Sequence, residues 1–318
     1  MNIRSQTNAF GSLALEKRAN SGARSYFACL VLSLREAIGE QFSLMVLRWL
    51  RRVSVIPVLM RLRQVGWWLA RNDACGQGIV RGSYEKRERQ FVEDLLRPGM
   101  TVLDIGAHHG LYTLLASRRV GPQGQVVAFE PSARERNNLL QHLRLNRCRN
   151  VHVEAVALGS KCGTGELFVV QGIETGCNSL RPPDVSEPTV KASVSVETLD
   201  GCVKRLGIAE VDFVKIDAEG AELEVFKGGT ELLKRAPRPI MLVEVQDLRT
   251  AAWGYRAKEI VEFLRRYEYC WFRLTECGLQ LFEDDRARID ENLVAIPRER
   301  GLPDIGSQVN IGLEAQSC

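Results

Sequence analysis

Residues 101–130 read TVLDIGAHHGLYTLLASRRVGPQGQVVAFE, and this stretch decides the fold class. Two short apolar runs, 101–106 and 125–130, stand on either side of a helical segment at 111–119. Continuously apolar strands joined by helices are typical of a parallel sheet whose two faces are both covered. The stretch therefore predicts a strand–helix–strand unit of an α/β domain.

The same alternation continues along the chain. Helices are predicted at residues 82–96, 111–119, 132–147, 221–235 and 257–267, and strands at 101–106, 125–130, 151–156, 211–217, 239–244, 270–274 and 292–296. Ser132 with Glu135 predicts a capping box at the start of one helix. Residues 163–197 interrupt the pattern with strand-like pieces at 166–170 and 192–196, so we expect an inserted hairpin or loop over the functional site. The alternation of strands and helices along the chain predicts a mainly parallel, doubly wound sheet.

The charge of the chain is unevenly distributed. The 318 residues are 45% hydrophobic and 26% charged, which excludes a wholly disordered chain. Residues 1–97 carry 16 Lys and Arg against 8 Asp and Glu, whereas residues 98–318 carry 27 against 31. We therefore predict a basic, apolar helical extension at 1–80, an α/β domain at 81–298 and a polar tail at 299–318.

Within the extension, residues 42–70 combine apolar and basic side chains. Leucines recur at helical spacing with arginines between them, and tryptophans stand at 49, 67 and 68. One interpretation is a pair of helices that pack on the main domain or on a second subunit. The other is a basic amphipathic helix that lies on an anionic membrane. Nucleic acid is not an expected partner, because the basic stretch is largely apolar and the rest of the chain is acidic.

The spacing of the cysteines and the lengths of the apolar segments bear on the cellular compartment of the protein. Nine cysteines include no CxxC pair, which argues against a structural zinc site and for reduced thiols. The first residues lack a signal-peptide layout, and the apolar runs at 27–34, 42–47 and 53–60 are too short to span a bilayer. We expect a cytoplasmic protein, peripheral to the inner face of the membrane if the amphipathic interpretation holds. Its oligomeric state is open.

The turn after the first predicted strand carries the sharpest local motif. Asp104, Gly106 and Gly110 have the spacing D-x-G-x-x-x-G, which differs from the dinucleotide fingerprint G-x-G-x-x-G. Glu130 ends the next strand, where a carboxylate accepts hydrogen bonds from ribose hydroxyls. Asp104 suits the cationic amino group of a methionine moiety and would repel a pyrophosphate. The motif therefore fits S-adenosylmethionine better than a nicotinamide dinucleotide.

Several segments together resemble the FkbM family of S-adenosylmethionine-dependent methyltransferases. They are LRPGMTVLDIGAHHGLYTLLAS, GQVVAFEPS, NLLQHLRLN, NVHVEAVALG, VSVETLD, VDFVKIDAEGAELEVFKGG, IMLVEV and NLVAIP, in order over about two-thirds of the chain. The resemblance implies a Rossmann-like class I methyltransferase fold and methyl transfer to a hydroxyl of a sugar, glycolipid or polyketide-like small molecule. The family usually has Asn where this chain has His108. Because His can charge near neutral pH, cofactor affinity is expected to fall as the pH drops.

Candidate catalytic residues lie in the stretch KIDAEG that starts at Lys215. Alternation along a strand places Lys215 and Asp217 on one face, and Asp217 falls at the strand end. We expect Asp217 to be the base or to orient the acceptor, with Glu219 second. Asp217, Glu219 and Glu244 are an alternative ligand set for a divalent cation, but Lys215 reduces the need for one, and no metal is predicted.

Two other functions stay open at this point. A nicotinamide-dependent oxidoreductase would use a similar sheet, although the glycine spacing and Asp104 argue against it. A non-catalytic, membrane-associated protein on a methyltransferase scaffold is the second, since fold alone does not establish function. The sequence does not specify the acceptor, nor does it distinguish O- from N-methylation with certainty. We expect the extension and residues 163–197 to shape the acceptor pocket.

Overall fold

The structure is a computed structural model and describes residues 57–283 and 288–301. In chain order its elements are β1 (Val58–Leu62), β2 (Gly66–Ala70), α1 (Ala74–Arg81), α2 (Lys86–Leu95), β3 (Thr101–Ile105), α3 (Leu111–Val120), β4 (Gln125–Phe129), α4 (Ala133–Asn146), β5 (Val151–Glu154), β6 (Val156–Leu158), β7 (Gly163–Val170), β8 (Thr189–Glu197), α5 (Leu199–Arg205), β9 (Phe213–Ile216), α6 (Glu222–Lys227), α7 (Thr230–Lys234), β10 (Ile240–Gln246), α8 (Asp247–Thr250), α9 (Ala257–Arg265), β11 (Tyr269–Thr275), β12 (Gly278–Leu281) and β13 (Asp290–Pro297).

An eight-stranded sheet organises the domain, in the order β12-β11-β13-β10-β9-β3-β4-β5. Strands β10, β9, β3, β4 and β5 are parallel, while β13 pairs antiparallel with both β10 and β11. Successive side chains of a strand point to opposite faces. Leu103 and Val214 accordingly pack in one core, and Val102 and Phe213 pack in the other.

Helices cover both faces of this sheet. Residues of α1, α2, α3 and α4 share one buried core with the sheet, and residues of α5, α6, α7 and α9 share the other. This arrangement explains why the central strands read as unbroken apolar runs, since neither of their faces meets water. The predicted Rossmann-like, doubly wound fold is confirmed. One predicted helix, 221–235, divides into α6 and α7 at Gly228, where a Cβ would lie 2.1 Å from the Gly159 carbonyl oxygen.

The segment 163–197 forms the predicted hairpin. Strands β7 and β8 pair antiparallel from Gly163 opposite Val196 to Val170 opposite Thr189, and β6 joins β8 in a separate three-stranded sheet. A 3₁₀ turn, Thr175–Cys177, lies between β7 and β8. The hairpin is tied to the residues before the domain, because the Ala74 N–H donates to the Ile173 carbonyl oxygen at 2.7 Å.

The part of the predicted helical extension that the structure describes is different from the prediction. Residues 58–70 form an antiparallel hairpin of β1 and β2, so the helical prediction for Leu59 and Leu62 is wrong. Trp68 is fully buried and stacks on His142 at 4.0 Å between ring centroids, so this face of the hairpin packs on the domain. Residues 1–56, including Trp49, lie outside the described residues, and the boundary at 80 stays a prediction.

One further difference concerns a helix start. The helix predicted from residue 82 begins at Lys86 in α2, since Gly82 ends α1 in the left-handed conformation at φ 72°. Over residues 57–283 and 288–301, every helix is too short or too polar to cross a bilayer.

Candidate active site

Carboxyl side chains gather at the carboxyl edge of the parallel strands. Asp104 lies at the end of β3, Glu130 follows β4, Asp217 follows β9, and Glu244 lies near the end of β10. The register pairs Asp104 with Lys215 and Lys215 with Leu242, which brings three of these strands into line. Ligands of such sheets bind at this edge. A cavity opens here, lined by Gly106, His108, Phe129, Glu130, Leu158, Leu167, Asn178, Ser179, Asp217, Glu219 and neighbours.

The glycines of the β3–α3 turn are required by geometry. Gly106 has φ 78°, and a Cβ there would lie 1.8 Å from the Asp217 carbonyl oxygen. Gly110 caps α3 at φ 85°, and a Cβ there would lie 2.2 Å from a methyl carbon of Leu139. Only glycine fits both positions without moving the backbone. The turn thus brings the two strand ends together and presents the amino end of α3 to the edge.

His108 lines the cavity in a left-handed conformation, at φ 49°. Its N–H donates to Glu130 Oε2 at 2.8 Å, and its Nε2 is 3.1 Å from Thr175 Oγ1. The ring stacks on His109 with 3.8 Å between centroids. Burial, helped by the neighbouring His109, lowers the pKa of His108 to about 3. His108 is therefore neutral at physiological pH, and the expectation that it charges near neutral pH is wrong.

Glu130 is held by backbone donors on both oxygens. Oε1 accepts from the Ser132 N–H at 2.8 Å, and Oε2 accepts from His108. Only 5% of the residue is exposed, and burial raises the pKa of Glu130 to about 8 despite these donors. A carboxyl group in this setting is rigidly oriented at the cavity wall.

Asp104 lies behind the cavity wall rather than in it. It is 2% exposed and accepts a hydrogen bond from the Thr113 hydroxyl at the start of α3. Burial raises the pKa of Asp104 to about 6, with the Thr113 bond and the Lys215 ammonium acting in the other direction. Its carboxyl group therefore orders the turn beneath the cavity.

Asp217 forms the centre of a charged cluster. Lys215 Nζ, 2% exposed, donates to Asp217 Oδ2 at 3.0 Å, as the shared strand face predicted. Burial opposes ionisation of Asp217, but Lys215 outweighs it, and the pKa of Asp217 lies below its ordinary value. Burial and the charge of Asp217 raise the pKa of Glu244 well above its ordinary value. Glu219 lies 2.9 Å from Arg249 Nε.

These contacts define what the cluster can hold. Asp217, Glu219 and Glu244 bring carboxyl oxygens within 4.8 Å of one another. Lys215 and Arg249 already place two positive charges against the three acids. The side chain of Asp217 stays 26% exposed, so it is the ionised member that a ligand in the cavity reaches.

Several residues of the site were missed by the sequence analysis. Tyr112 donates to Glu85 Oε2 at 2.6 Å, and its ring lies 5.4 Å from Lys215 Nζ. Arg249 follows β10 at the same edge. The principle that ligands bind at the carboxyl ends of parallel strands would therefore have indicated it. Nothing local indicated Glu85, which precedes α2 and reaches the site through packing.

Two acids near the cavity have structural partners. Glu135 does not form the predicted capping box with Ser132: its oxygens lie 3.1 Å from His109 Nε2 and accept from Asn178 at 3.1 Å. Glu222 accepts from the N–H groups of Ala218 and Gly220 at 2.9 and 3.2 Å, and thereby closes the turn after Asp217.

Known proteins share this stretch of chain. Residues 104–271 match the model of the methyltransferase FkbM domain. The chain is 29% identical over 208 residues to the AMB antimetabolite synthetase AmbE of Pseudomonas aeruginosa, covering 55% of this chain and 10% of the synthetase. It is 27% identical over 158 residues to the methyltransferase sdnD of Sordaria araneosa, covering 41% of this chain and 60% of that protein. The chain thus spans well under two-thirds of these relatives.

Among solved structures, the methyltransferase FkbM from Methylobacillus flagellatus KT aligns with 70% of this chain and 55% of its own, at 17% identity and a TM-score of 0.40. The family assignment rests on the domain match, which covers more than half of the chain and contains the end of β3, all of β4 to β10, and the carboxyl edge from Asp104 to Glu244. This chain belongs to the FkbM methyltransferase family.

Proposed function

We propose that this protein transfers the methyl group of S-adenosylmethionine to a hydroxyl of a sugar, glycolipid or polyketide-like small molecule. One observation carries the proposal. Asp217 is an ionised, partly exposed carboxylate that shares one cavity with Glu130 and the glycine turn. An acceptor bound beside the cofactor would therefore meet a hydrogen-bond acceptor suited to a hydroxyl group.

The cofactor half of the cavity is lined by Gly106, His108 and Glu130, with Gly110 at the start of α3 and Asp104 behind them. The fit is supported by Gly106, which lets the end of β3 meet the Asp217 backbone at the cavity wall, and by the neutral His108, which adds no charge against a sulfonium. We assign Glu130 to the ribose hydroxyls, and Asp104 to the support of the methionine end through the turn that it orders. When bound, S-adenosylmethionine supplies an electrophilic methyl group.

The acceptor half is formed around Asp217. In this proposal Asp217 accepts the hydroxyl proton while the acceptor oxygen forms its bond to the methyl carbon and the sulfur–methyl bond breaks. Lys215 holds Asp217 in position and ionised, and Glu219 with Arg249 forms the adjoining wall. Orientation of an acceptor and general-base assistance each contribute factors of about 10² or more to rates.

Two variants separate these roles. Asp217→Asn should leave the Kd for S-adenosylmethionine nearly unchanged and reduce methyl transfer by about 10²-fold or more. Glu130→Gln should mainly weaken cofactor binding, by about tenfold, since one buried hydrogen bond left unmade costs about 1–3 kcal/mol. The exposed Glu231→Gln, on α7, is the matched control. Calorimetric binding and transfer of labelled methyl to extracts of glycans, lipids and small metabolites provide the two readouts.

The outcomes discriminate among functions. Equal loss of binding and transfer in both variants would contradict the division of roles. Labelled product only in an amine fraction would replace hydroxyl methylation by N-methylation. Binding of the cofactor with no product in any fraction would favour a non-catalytic scaffold.

A further inference from the structure

A face rich in arginine lies at the end of the sheet opposite the active site. Residues 57–71 and 117–152 together contain ten arginines and two glutamates. Two of the arginines, Arg134 and Arg136, contact Glu135 and the Glu130 carbonyl oxygen at the start of α4 and so belong to the active-site end. The two acids, Glu130 and Glu135, are both buried at the active site. These two ranges therefore expose positive charge without any exposed carboxylate to balance it.

The positive charge surrounds an open groove. The groove lies between the carboxyl ends of α3 and α4 and the amino ends of β4 and β5. The exposed side chains of Arg118, Arg147 and Arg149 line it, and within residues 57–283 and 288–301 none of the three forms an ion pair. A five-residue strand such as β4 spans about 17 Å, which separates the groove from the carboxyl edge.

Apolar side chains stand beside these arginines. Trp67 is 36% exposed and pairs with Arg61 across the β1–β2 hairpin, so both are on the hairpin's outer face. Asn146, which lines the groove, accepts from the Trp67 N–H and donates to its carbonyl oxygen, both at 2.7 Å. The neighbouring Leu145 is also 36% exposed. The groove rim thus combines cationic, aromatic and aliphatic groups.

We propose that this face, formed by the β1–β2 hairpin and the groove lined by Arg118, Arg147 and Arg149, docks the protein on an anionic lipid bilayer. Guanidinium groups bind the phosphates of lipid headgroups, and Trp67 and Leu145 occupy the interfacial layer, the depth that tryptophan prefers. The chain's own residues 1–56 are poor occupants, because they carry eight Lys and Arg against three Glu and are repelled by the groove.

Docking through the groove would fix the direction in which the active site faces. The groove and the cavity containing Asp217 lie at opposite ends of the strands. A bilayer bound at the groove therefore holds the enzyme at the membrane surface while the active site opens away from the lipid. The surface localises the protein and does not present bilayer lipid to the site, so the inference is independent of the acceptor proposed above.

The test is vesicle flotation of the full chain. Phosphatidylcholine vesicles containing phosphatidylglycerol should bind it, and pure phosphatidylcholine vesicles should not. Each arginine near an anionic surface contributes about fivefold to binding, so the double variant Arg147→Gln/Arg149→Gln should bind about 25-fold more weakly. Trp67→Ala should also weaken binding. The matched control is Arg265→Gln/Arg266→Gln on and after α9, where both arginines are exposed.

Absence of binding to the anionic vesicles would overturn the proposal, as would equal losses in the α9 control. Binding of an RNA oligonucleotide that is tighter than vesicle binding and lost in the same double variant would assign the groove to nucleic acid instead. Unchanged S-adenosylmethionine affinity in the Arg147/Arg149 variant is the expected evidence that its fold and active site are intact.

Discussion

Asp104→Asn is expected to stabilise the protein near neutral pH while it weakens cofactor binding. Asp104 is buried, and its pKa is raised from 3.8 to about 6. In the folded state the carboxyl group thus binds a proton more tightly than in the unfolded chain. The stability that this protonation supports is complete below about pH 4 and is lost as the pH rises through about 6.

The magnitude follows from the shift. One pKa unit corresponds to 1.36 kcal/mol, so ionising Asp104 costs about 3 kcal/mol of unfolding free energy above about pH 7. At about pH 4.5 that cost is about 1 kcal/mol, because the unfolded aspartate is then partly protonated. The stabilisation of Asp104→Asn relative to wild type should therefore be about 2 kcal/mol larger at about pH 7.5 than at about pH 4.5.

Urea unfolding of the cofactor-free protein at these two pH values measures the difference. Any pH-independent effect of the amide on packing cancels in the comparison. Asp184→Asn, at an exposed position, is the matched control and should not change the unfolding free energy at either pH. If Asp104→Asn changes stability equally at both pH values, the buried carboxyl group does not carry the assigned charge cost.

Three further outcomes are expected. The affinities of wild type and His108→Asn for S-adenosylmethionine should follow the same pH profile between about pH 5.5 and 8, since the pKa of His108 is about 3. A pH dependence that is present in wild type and lost in His108→Asn would contradict the neutrality of His108. Gly106→Ala should reduce cofactor affinity at least about tenfold in calorimetry, because the alanine Cβ would collide with the Asp217 carbonyl oxygen. An affinity equal to that of wild type would refute the close contact between residue 106 and the Asp217 backbone. Trp68→Ala should lower the unfolding free energy by about 3–5 kcal/mol in urea, and a loss below about 1 kcal/mol would show that the hairpin does not pack on α4.

Contacts between the β1–β2 hairpin and helix α4 explain why the hairpin was not predicted from the sequence. The stretch 58–70 is short and contains apolar residues that fit a period of 2 or of 3.6 equally well. Its conformation is decided by partners far along the chain: the Leu69 N–H donates to His142 Nε2 at 3.0 Å, and His142 Nδ1 donates to the His109 carbonyl oxygen at 2.7 Å. The hairpin is thereby linked to the cofactor turn through one buried imidazole.

Features that depend on local periodicity and chain direction could be predicted from the amino-acid sequence. Unbroken apolar runs predict strands covered on both faces, and parallel strands bring Asp104, Glu130, Asp217 and Glu244 to one edge. Alternation places Lys215 beside Asp217, and the contact is present.

Properties that depend on burial and on distant neighbours could not be predicted in this way, because they arise when the chain folds. His108 is neutral because the fold encloses it, and Glu135 bonds to His109 and Asn178 instead of capping α4. Arg249 meets Glu219 because the turns after two adjoining strands converge. The charge of a side chain depends on the free energy of its transfer from water and on the charges around it, and both are set when distant segments pack together.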